Sequence, residues 1–342
     1  MTTNRNPLPR WRGFNLLEKF TAGEPSKTAP NSNRNAPFRE EDFQWIAGWG
    51  FDFVRLPMSY HCWSSPARWL EMDEPVLAQI DEAIEFGRRH GVHVCLNLHR
   101  APGYCVNPPA EPRNLWRDAD ALAAFCHQWA AFARRYRGID NKRVSFDLVN
   151  EPPAPEEARG LSRADHERVV RAAVAAIRKE DPQRQIIIDG LSWGNDAVPE
   201  LADLGVGQSC RGYLPMGISH YKAPWVGGEH FPSPAWPGGH HYGENWDRAR
   251  LDRHYEQWSD LIKRGVGVHC GECGCFSHTP HAVFLAWFRD LLAILTARGI
   301  GYSLWNFRGA FGLLDSGRAD VDYGDWHGHK LDRGLLSLLQ EF

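Results

Sequence analysis

The sequence predicts an α/β chain folded as a (β/α)8 TIM barrel, and three observations predict it. Short apolar runs alternate with amphipathic stretches from end to end, no linker interrupts the series, and eight strand–helix pairs fit within the 342 residues. An open doubly wound sheet fits less well, because no glycine-rich dinucleotide fingerprint follows the first strand. Residues 1–342 therefore read as a single catalytic domain, with long loops at about 99–117 and 221–245.

Each element has its own warrant. Trp11 to Leu16 forms the first strand, and Phe43, Ile46 and Ala47 mark a helix from about Arg39 to Trp49. Phe53 to Leu56 is the second strand; Leu77, Ile80 and Ile84 then recur at helical spacing up to a stop at Gly91. Val92 to Leu98 is the third, followed by a proline-rich loop of the kind that is usually functional in a compact domain. A helix from Asp118 to Tyr136 leads to the fourth strand, Val144 to Val149, and Ser162 with Asp165 resembles a capping box that opens the next helix. Ile186 to Asp189 is the fifth strand, with a short helical stretch around Ala197 to Leu204. Met216 to His220 reads as the sixth, a helix spans Arg248 to Arg264, and Gly267 to Glu272 is the seventh. Thr279-Pro280 supplies an N-cap and a first-turn proline for a helix reaching Arg298. Gly301 to Trp305 is the eighth strand, before a final helix from Asp332 to Gln340.

Composition narrows the function. Lys+Arg 39 against Asp+Glu 42 leaves a net charge of −3, so there is no basic field for nucleic acid or an anionic membrane surface. No apolar run approaches the roughly 18 residues of a membrane span, and the amino terminus shows no signal-peptide pattern, so a cytoplasmic location is expected. The 8 cysteines read mostly as reduced, buried thiols; a Cys62–Cys105 bridge or one among Cys270, Cys273 and Cys275 is the alternative. The 15 tryptophans are a heavy load. Trp45, Trp129, Trp258 and Trp287 fall at helical positions and read as packing, whereas Trp63, Trp116, Trp193, Trp225, Trp236 and Trp246 fall near loops, where an indole either packs or stacks on a sugar ring.

In such a barrel the chemistry sits at the carboxyl ends of the strands. The polar residues there are Arg55, His99, Asn150, Glu151, His220, Glu272 and Trp305. Two are carboxylates, and a pair of carboxyl groups is what glycoside hydrolysis requires, one to protonate the leaving oxygen and one to attack or to activate water.

Asn150-Glu151-Pro152 after a strand, with Phe53-Val54-Arg55-Leu56-Pro57 before it, Glu272 late and Trp305 ending the last strand, resembles glycoside hydrolase family 5, in the clan of retaining barrel glycosidases. The resemblance runs from Arg12-Gly13-Phe14-Asn15 to Trp305-Asn306-Phe307. It implies hydrolysis of a β-linked glucan, mannan or derived oligosaccharide, without metal or organic cofactor. By it Glu151 is the general acid/base, Glu272 the nucleophile and Asn150 a partner of the sugar 2-hydroxyl. Arg55 positions Glu272, His99 and His220 orient the subsite, and Trp305 is its floor. One element departs: the usual strand-six His-x-Tyr reads here as His220-Tyr221-Lys222, so Tyr221 is carried as a displaced site residue.

Two other classes compete. A non-catalytic carbohydrate-binding barrel would retain the aromatic cleft, with Lys222 as its sign. A metal-dependent hydrolase would use His99, His220, His269 and Cys270, although His269 to Cys275 lacks the paired spacing of a zinc site.

Overall fold

The computed structural model describes residues 5–22, 35–156 and 161–342. Its parallel strands in chain order are β1 (Arg12–Asn15), β2 (Phe53–Ser59), β3 (His93–Ala101), β4 (Val144–Asp147), β5 (Ile186–Asp189), β6 (Gly207–Gly212), β7 (Val268–Cys273) and β8 (Gly301–Leu304). The longer helices are α1 (Glu40–Gly48), α2 (Glu74–His90), α3 (Ala119–Arg135), α4 (Arg163–Glu180), α5 (Arg248–His254), α6 (Glu256–Lys263), α7 (His281–Ala297) and α8 (Arg333–Glu341). Contacts divide the chain into two units, Leu17–Cys210 and Met1–Leu16 with Arg211–Phe342.

In the unit Leu17–Cys210, β2, β3, β4, β5 and β6 pair in that order, all parallel. Strands β2 to β5 are buried along their whole length, as expected of parallel strands covered on both faces. Helix α3 buries Phe125, Trp129 and Phe132, and the Trp129 indole N–H donates to the Leu148 carbonyl at 3.0 Å. Helix α4 opens with the capping box: Ser162 accepts from the Asp165 N–H while Asp165 accepts from the Ser162 N–H, both at 3.1 Å. In the second unit β1 and β7 flank β8, again parallel. Helix α7 buries Phe284, Trp287, Phe288 and Leu291, and Trp287 donates to the Leu214 carbonyl at 3.1 Å.

Two registers are interrupted. Along β2 and β3 the partners run Met58↔Leu98 and then Ser59↔Arg100, so His99 is an extra residue. Along β7 and β8 they run Cys270↔Tyr302 and then Cys273↔Leu304, so three steps on β7 match two on β8 across Gly271 and Glu272. Both are β-bulges, which re-aim the side chain they carry.

Several sequence expectations need correction. Strand six is Gly207–Gly212, and the Met216–His220 run is instead a one-turn helix, Met216–Ser219, entered through Pro215. The strand was hidden by its polar side chains, which are satisfied internally: Gln208 exchanges hydrogen bonds with the Val198 backbone at 2.8 and 3.0 Å. Strand β3 continues past His99 to Ala101, which shortens the first long loop. The second contains a hairpin, Gly239–His241 with Glu244–Trp246. The single helix expected over 248–264 is two, parted at Tyr255. All eight cysteines are free thiols, so neither alternative bridge forms. Among the described residues no helix is long and apolar enough to cross a membrane.

Burial is the main cause that makes three histidines acid-sensitive. Desolvation lowers the pKa of His93 to about 4, of His166 to about 4 and of His220 to about 3. His166 is fully buried against Trp116, and neither ring nitrogen has a hydrogen-bond partner. An unfolded histidine takes up its proton near pH 6.5, whereas these folded ones do so only near 3 to 4, so stability is full above 6.5 and is lost as pH falls toward the folded values. Each contributes a slope of up to about 1.4 kcal/mol per pH unit in that window. Thermal melts from pH 7.5 to 4.5 should show a falling Tm, and His166→Leu should flatten the curve; equal slopes for the two proteins would contradict this account.

Candidate active site

Strand ends in the unit Leu17–Cys210 assemble a polar cluster around a buried guanidinium. Arg55 is 1% exposed; its Nε donates to Asp147 Oδ2 at 2.7 Å, one Nη donates to Asn150 Oδ1 at 2.8 Å, and Asp189 Oδ2 lies 3.7 Å away. Such a charge is tolerated away from water only when paired and hydrogen-bonded. With its oxygen on Arg55, Asn150 points its Nδ2 at His99 Nε2, 3.3 Å away, and Asn107 Nδ2 approaches the same nitrogen at 3.2 Å. Two amide donors on one ring nitrogen make it the acceptor, which fixes the His99 tautomer. Phe20 packs edge-on against that ring at 4.6 Å.

Glu151 follows with its backbone in the left-handed region, φ +50°. For a residue with a Cβ this conformation costs about 1–3 kcal/mol and persists only when its surroundings enforce it. Here both ends are held: the Glu151 N–H donates to Asp189 Oδ2 at 2.8 Å, and the Tyr104 hydroxyl donates to the Glu151 carbonyl. One residue on, the Trp193 N–H donates to the Pro152 carbonyl at 2.9 Å, from a segment where Ser192 and Trp193 are themselves at φ +54° and +57°.

The second unit carries Glu272, 3% exposed, on the β7 bulge. Its Oε2 accepts from the Tyr213 hydroxyl at 3.0 Å, and its Oε1 lies 3.4 Å from an Nη of the fully buried Arg211. The strand beneath is pinned: Asn15 Nδ2 donates to the Gly271 carbonyl at 3.1 Å and Ser303 Oγ to the same carbonyl at 2.6 Å. The Trp305 N–H donates to the Cys273 carbonyl at 2.7 Å, which places Trp305, one residue past the end of β8, against the residue that follows Glu272. His220 is buried, its ring edge-on to Tyr213 at 5.1 Å with Nδ1 2.8 Å from Ser219 Oγ, and its lowered pKa keeps it neutral.

The expected residues thus fall into two groups. Arg55, His99 and Asn150 gather beside Glu151; His220 and Trp305 gather beside Glu272. Tyr221 is corrected: the hydroxyl on Glu272 belongs to Tyr213, while Tyr221 lies under the Lys222 ammonium at 5.3 Å. Moving strand six to Gly207–Gly212 restores the tyrosine just past its end, in the pattern Arg211-Gly212-Tyr213. Sequence reading missed Arg211 and Tyr213 for that reason, and missed Asp147, Asp189 and Tyr104 because they act on other residues of the site.

The loop tryptophans also sort. Trp63, Trp116 and Trp246 are buried packing residues, and the Trp236 indole donates to Asp290 at 2.9 Å. Trp225 is 58% exposed and belongs to an aromatic wall: its ring centroid lies 5.0 Å from Phe276 and 6.1 Å from His220, and Phe311 lies 5.5 Å from His220 and 6.2 Å from Tyr213. Among the described residues no three His, Cys, Asp or Glu side chains gather as metal ligands. The Cys270, Cys273 and Cys275 thiols each meet a backbone carbonyl, of Glu272, Ser303 and Ile218.

Comparison with known proteins gives these arrangements a context. The family model described as cellulase, glycosyl hydrolase family 5, matches residues 21–310. Endoglucanase C of Acetivibrio thermocellus is 25% identical over 295 residues, 79% of this chain and 83% of that protein. Cellodextrinase A of Ruminococcus flavefaciens is 25% identical over 273 residues, 77% and 76% of the two chains. Among solved structures, a glycoside hydrolase aligns with TM-score 0.89 and 42% identity over 97% of this chain and 99% of that one. A hyperthermophilic endo-β-1,4-glucanase solved with substrate aligns with TM-score 0.74 and 21% identity over 96% of each, a likeness of fold alone. The predicted fold class, the (β/α)8 barrel, is the one found.

The hold on Glu151 is testable. Tyr104→Phe removes one end of the backbone clamp, and a single hydrogen bond to a strained segment should lower kcat/KM on an aryl β-glycoside by roughly 5- to 20-fold. Far-UV circular dichroism and Tm should change little. Unaltered kinetics would show that Tyr104 does not hold Glu151 in place.

Proposed function

The chain belongs to glycosyl hydrolase family 5 and is a glycoside hydrolase that retains anomeric configuration, as that family does; from this premise we propose that it cuts β-linked glucan or mannan oligosaccharides with Glu272 as nucleophile and Glu151 as general acid/base. The observation that carries the assignment is the hold on Glu272, with Arg211 at one oxygen and Tyr213 on the other. A carboxylate so held has a fixed rotamer, which is what attack on an anomeric carbon demands.

In the first step a Glu272 oxygen donates an electron pair to C1, and the glycosidic C1–O bond breaks as Glu151 gives its proton to the departing oxygen. In the second, water adds to C1, its proton passes to Glu151 and the ester to Glu272 opens. Asn150, oriented from both sides by Arg55 and His99, presents its amide to the 2-hydroxyl of the sugar, a bond that strengthens in the transition state. The neutral His220 and the Tyr213–Phe311–Trp225 wall offer flat faces for pyranose rings.

Relatives named for endoglucanase and cellodextrinase activity support glucan oligosaccharides as the first substrates to try. The non-catalytic alternative rested on a missing tyrosine, and Tyr213 removes that ground.

Glu272→Gly should abolish turnover of cellotetraose and mannotetraose, and azide should restore cleavage of an activated aryl glycoside; retained hydrolysis in that variant refutes the nucleophile assignment. Proton NMR of the wild-type reaction should show the β-anomer first. Trp225→Ala should raise KM for cellotetraose by roughly 3- to 10-fold with kcat nearly constant, the loss expected of one stacking contact.

A further inference from the structure

We propose that Arg211 is a positioning residue that supplies a fixed positive charge to Glu272 and thereby speeds the second half of the reaction, release of the sugar from the enzyme. The inference rests on the assignment of Glu272 as nucleophile.

Geometry sets Arg211 in place. It is the penultimate residue of β6, where side chains alternate between faces, so Arg211 and Tyr213 share one face and Gly212 takes the other. Gly212 has no room for a side chain: a Cβ there would lie 2.5 Å from Cys273 Cβ and 3.2 Å from Cys270 Sγ. The segment is therefore pressed against β7, and its two long side chains reach separate oxygens of Glu272. The Tyr255 hydroxyl, at the break between α5 and α6, donates to the Arg211 carbonyl at 2.8 Å and fixes the backbone from which the guanidinium extends. At the position where the resemblance leads one to look for a histidine, this chain has a group that does not lose its proton.

A permanent cation beside a nucleophilic carboxylate acts unequally on the two steps. When Glu272 attacks C1 its negative charge disappears into an ester, and the neighbouring cation favours the carboxylate that is being consumed. When water displaces the sugar, the C1–Oε electron pair returns to Glu272 and the cation stabilises the charge as it forms. Arg211 thus assists the carboxylate as a leaving group, and its loss should leave the glycosyl-enzyme to accumulate.

Arg211→Met, Arg211→Lys and Glu272→Gly, each in the full chain, can be compared by stopped flow with 2,4-dinitrophenyl β-cellobioside and the corresponding mannobioside, whose leaving group needs no acid. For Arg211→Met the expected result is a fall in kcat on the order of 10- to 100-fold, the range of a charge-assisted contact. KM should fall in proportion, kcat/KM should change little, and a burst of one equivalent of dinitrophenolate should precede the steady state. Intact-protein mass should show one added glycosyl unit, and Arg211→Lys should recover much of kcat. A lower kcat with unchanged KM and no burst, or wild-type kinetics, overturns the inference while an inactive, azide-rescued Glu272→Gly keeps the nucleophile assignment. If Arg211→Met does not fold, the same burst in Arg211→Lys at smaller amplitude decides, and its absence there overturns the inference. Turnover retained by Glu272→Gly overturns both.

Discussion

The polar cluster that holds Glu151 depends on the removal of one guanidinium from water. Arg55 sits inside the sheet with almost no exposed surface, and its charge is answered by Asp147, Asp189 and the amide oxygen of Asn150. Losing one partner of such a network leaves an uncompensated charge, at a cost of about 3–5 kcal/mol. The network therefore has to form as a unit, and its members hand orientation onward: Asn150 to His99, Asp189 to the Glu151 N–H. Glu151 can occupy a left-handed backbone conformation because a buried aspartate, already committed to an arginine, receives its amide.

Glu272 is placed by a related but separate device, a buried arginine near the end of β6 and a tyrosine just past it, two residues apart. The difference between the two arginines is instructive. Arg55 organises neutral and acidic neighbours into a scaffold, whereas Arg211 stands next to the group whose charge changes during reaction. Beside Glu272, burial holds the His220 pKa well below its ordinary value, so His220 works as a flat, neutral ring and leaves the local charge to the arginine and the carboxylate.

Most of the strands were legible because parallel strands covered on both faces are apolar runs, as at Ile186–Asp189 and Val144–Asp147. The residues that terminate them were legible for the same reason, as polar punctuation after an apolar run. Strand β6 was not, because Gln208, Ser209 and Arg211 are buried polar residues whose satisfaction is visible only in three dimensions. The apolar run Met216–His220 read as the strand instead, and with the strand misplaced the tyrosine was sought eight residues too late, at Tyr221 and not at Tyr213. Tryptophans were equally opaque: Trp63, Trp116 and Trp246 lie in loop-like sequence yet are buried, and only packing separates them from Trp225.

The two bulges carry an implication for how such a chain can change. In an unbroken strand every side chain's direction is set by parity, so a residue recruited for chemistry is bound to the face that packing assigns it. At His99 and at Glu272 the extra residue resets that parity near the strand's end. Below the reset, substitutions answer to the interior; above it, they answer to whatever binds. Inheritance can then retune the upper layer over many generations without disturbing the lower one, and a single-residue deletion at either bulge would fuse the two layers again.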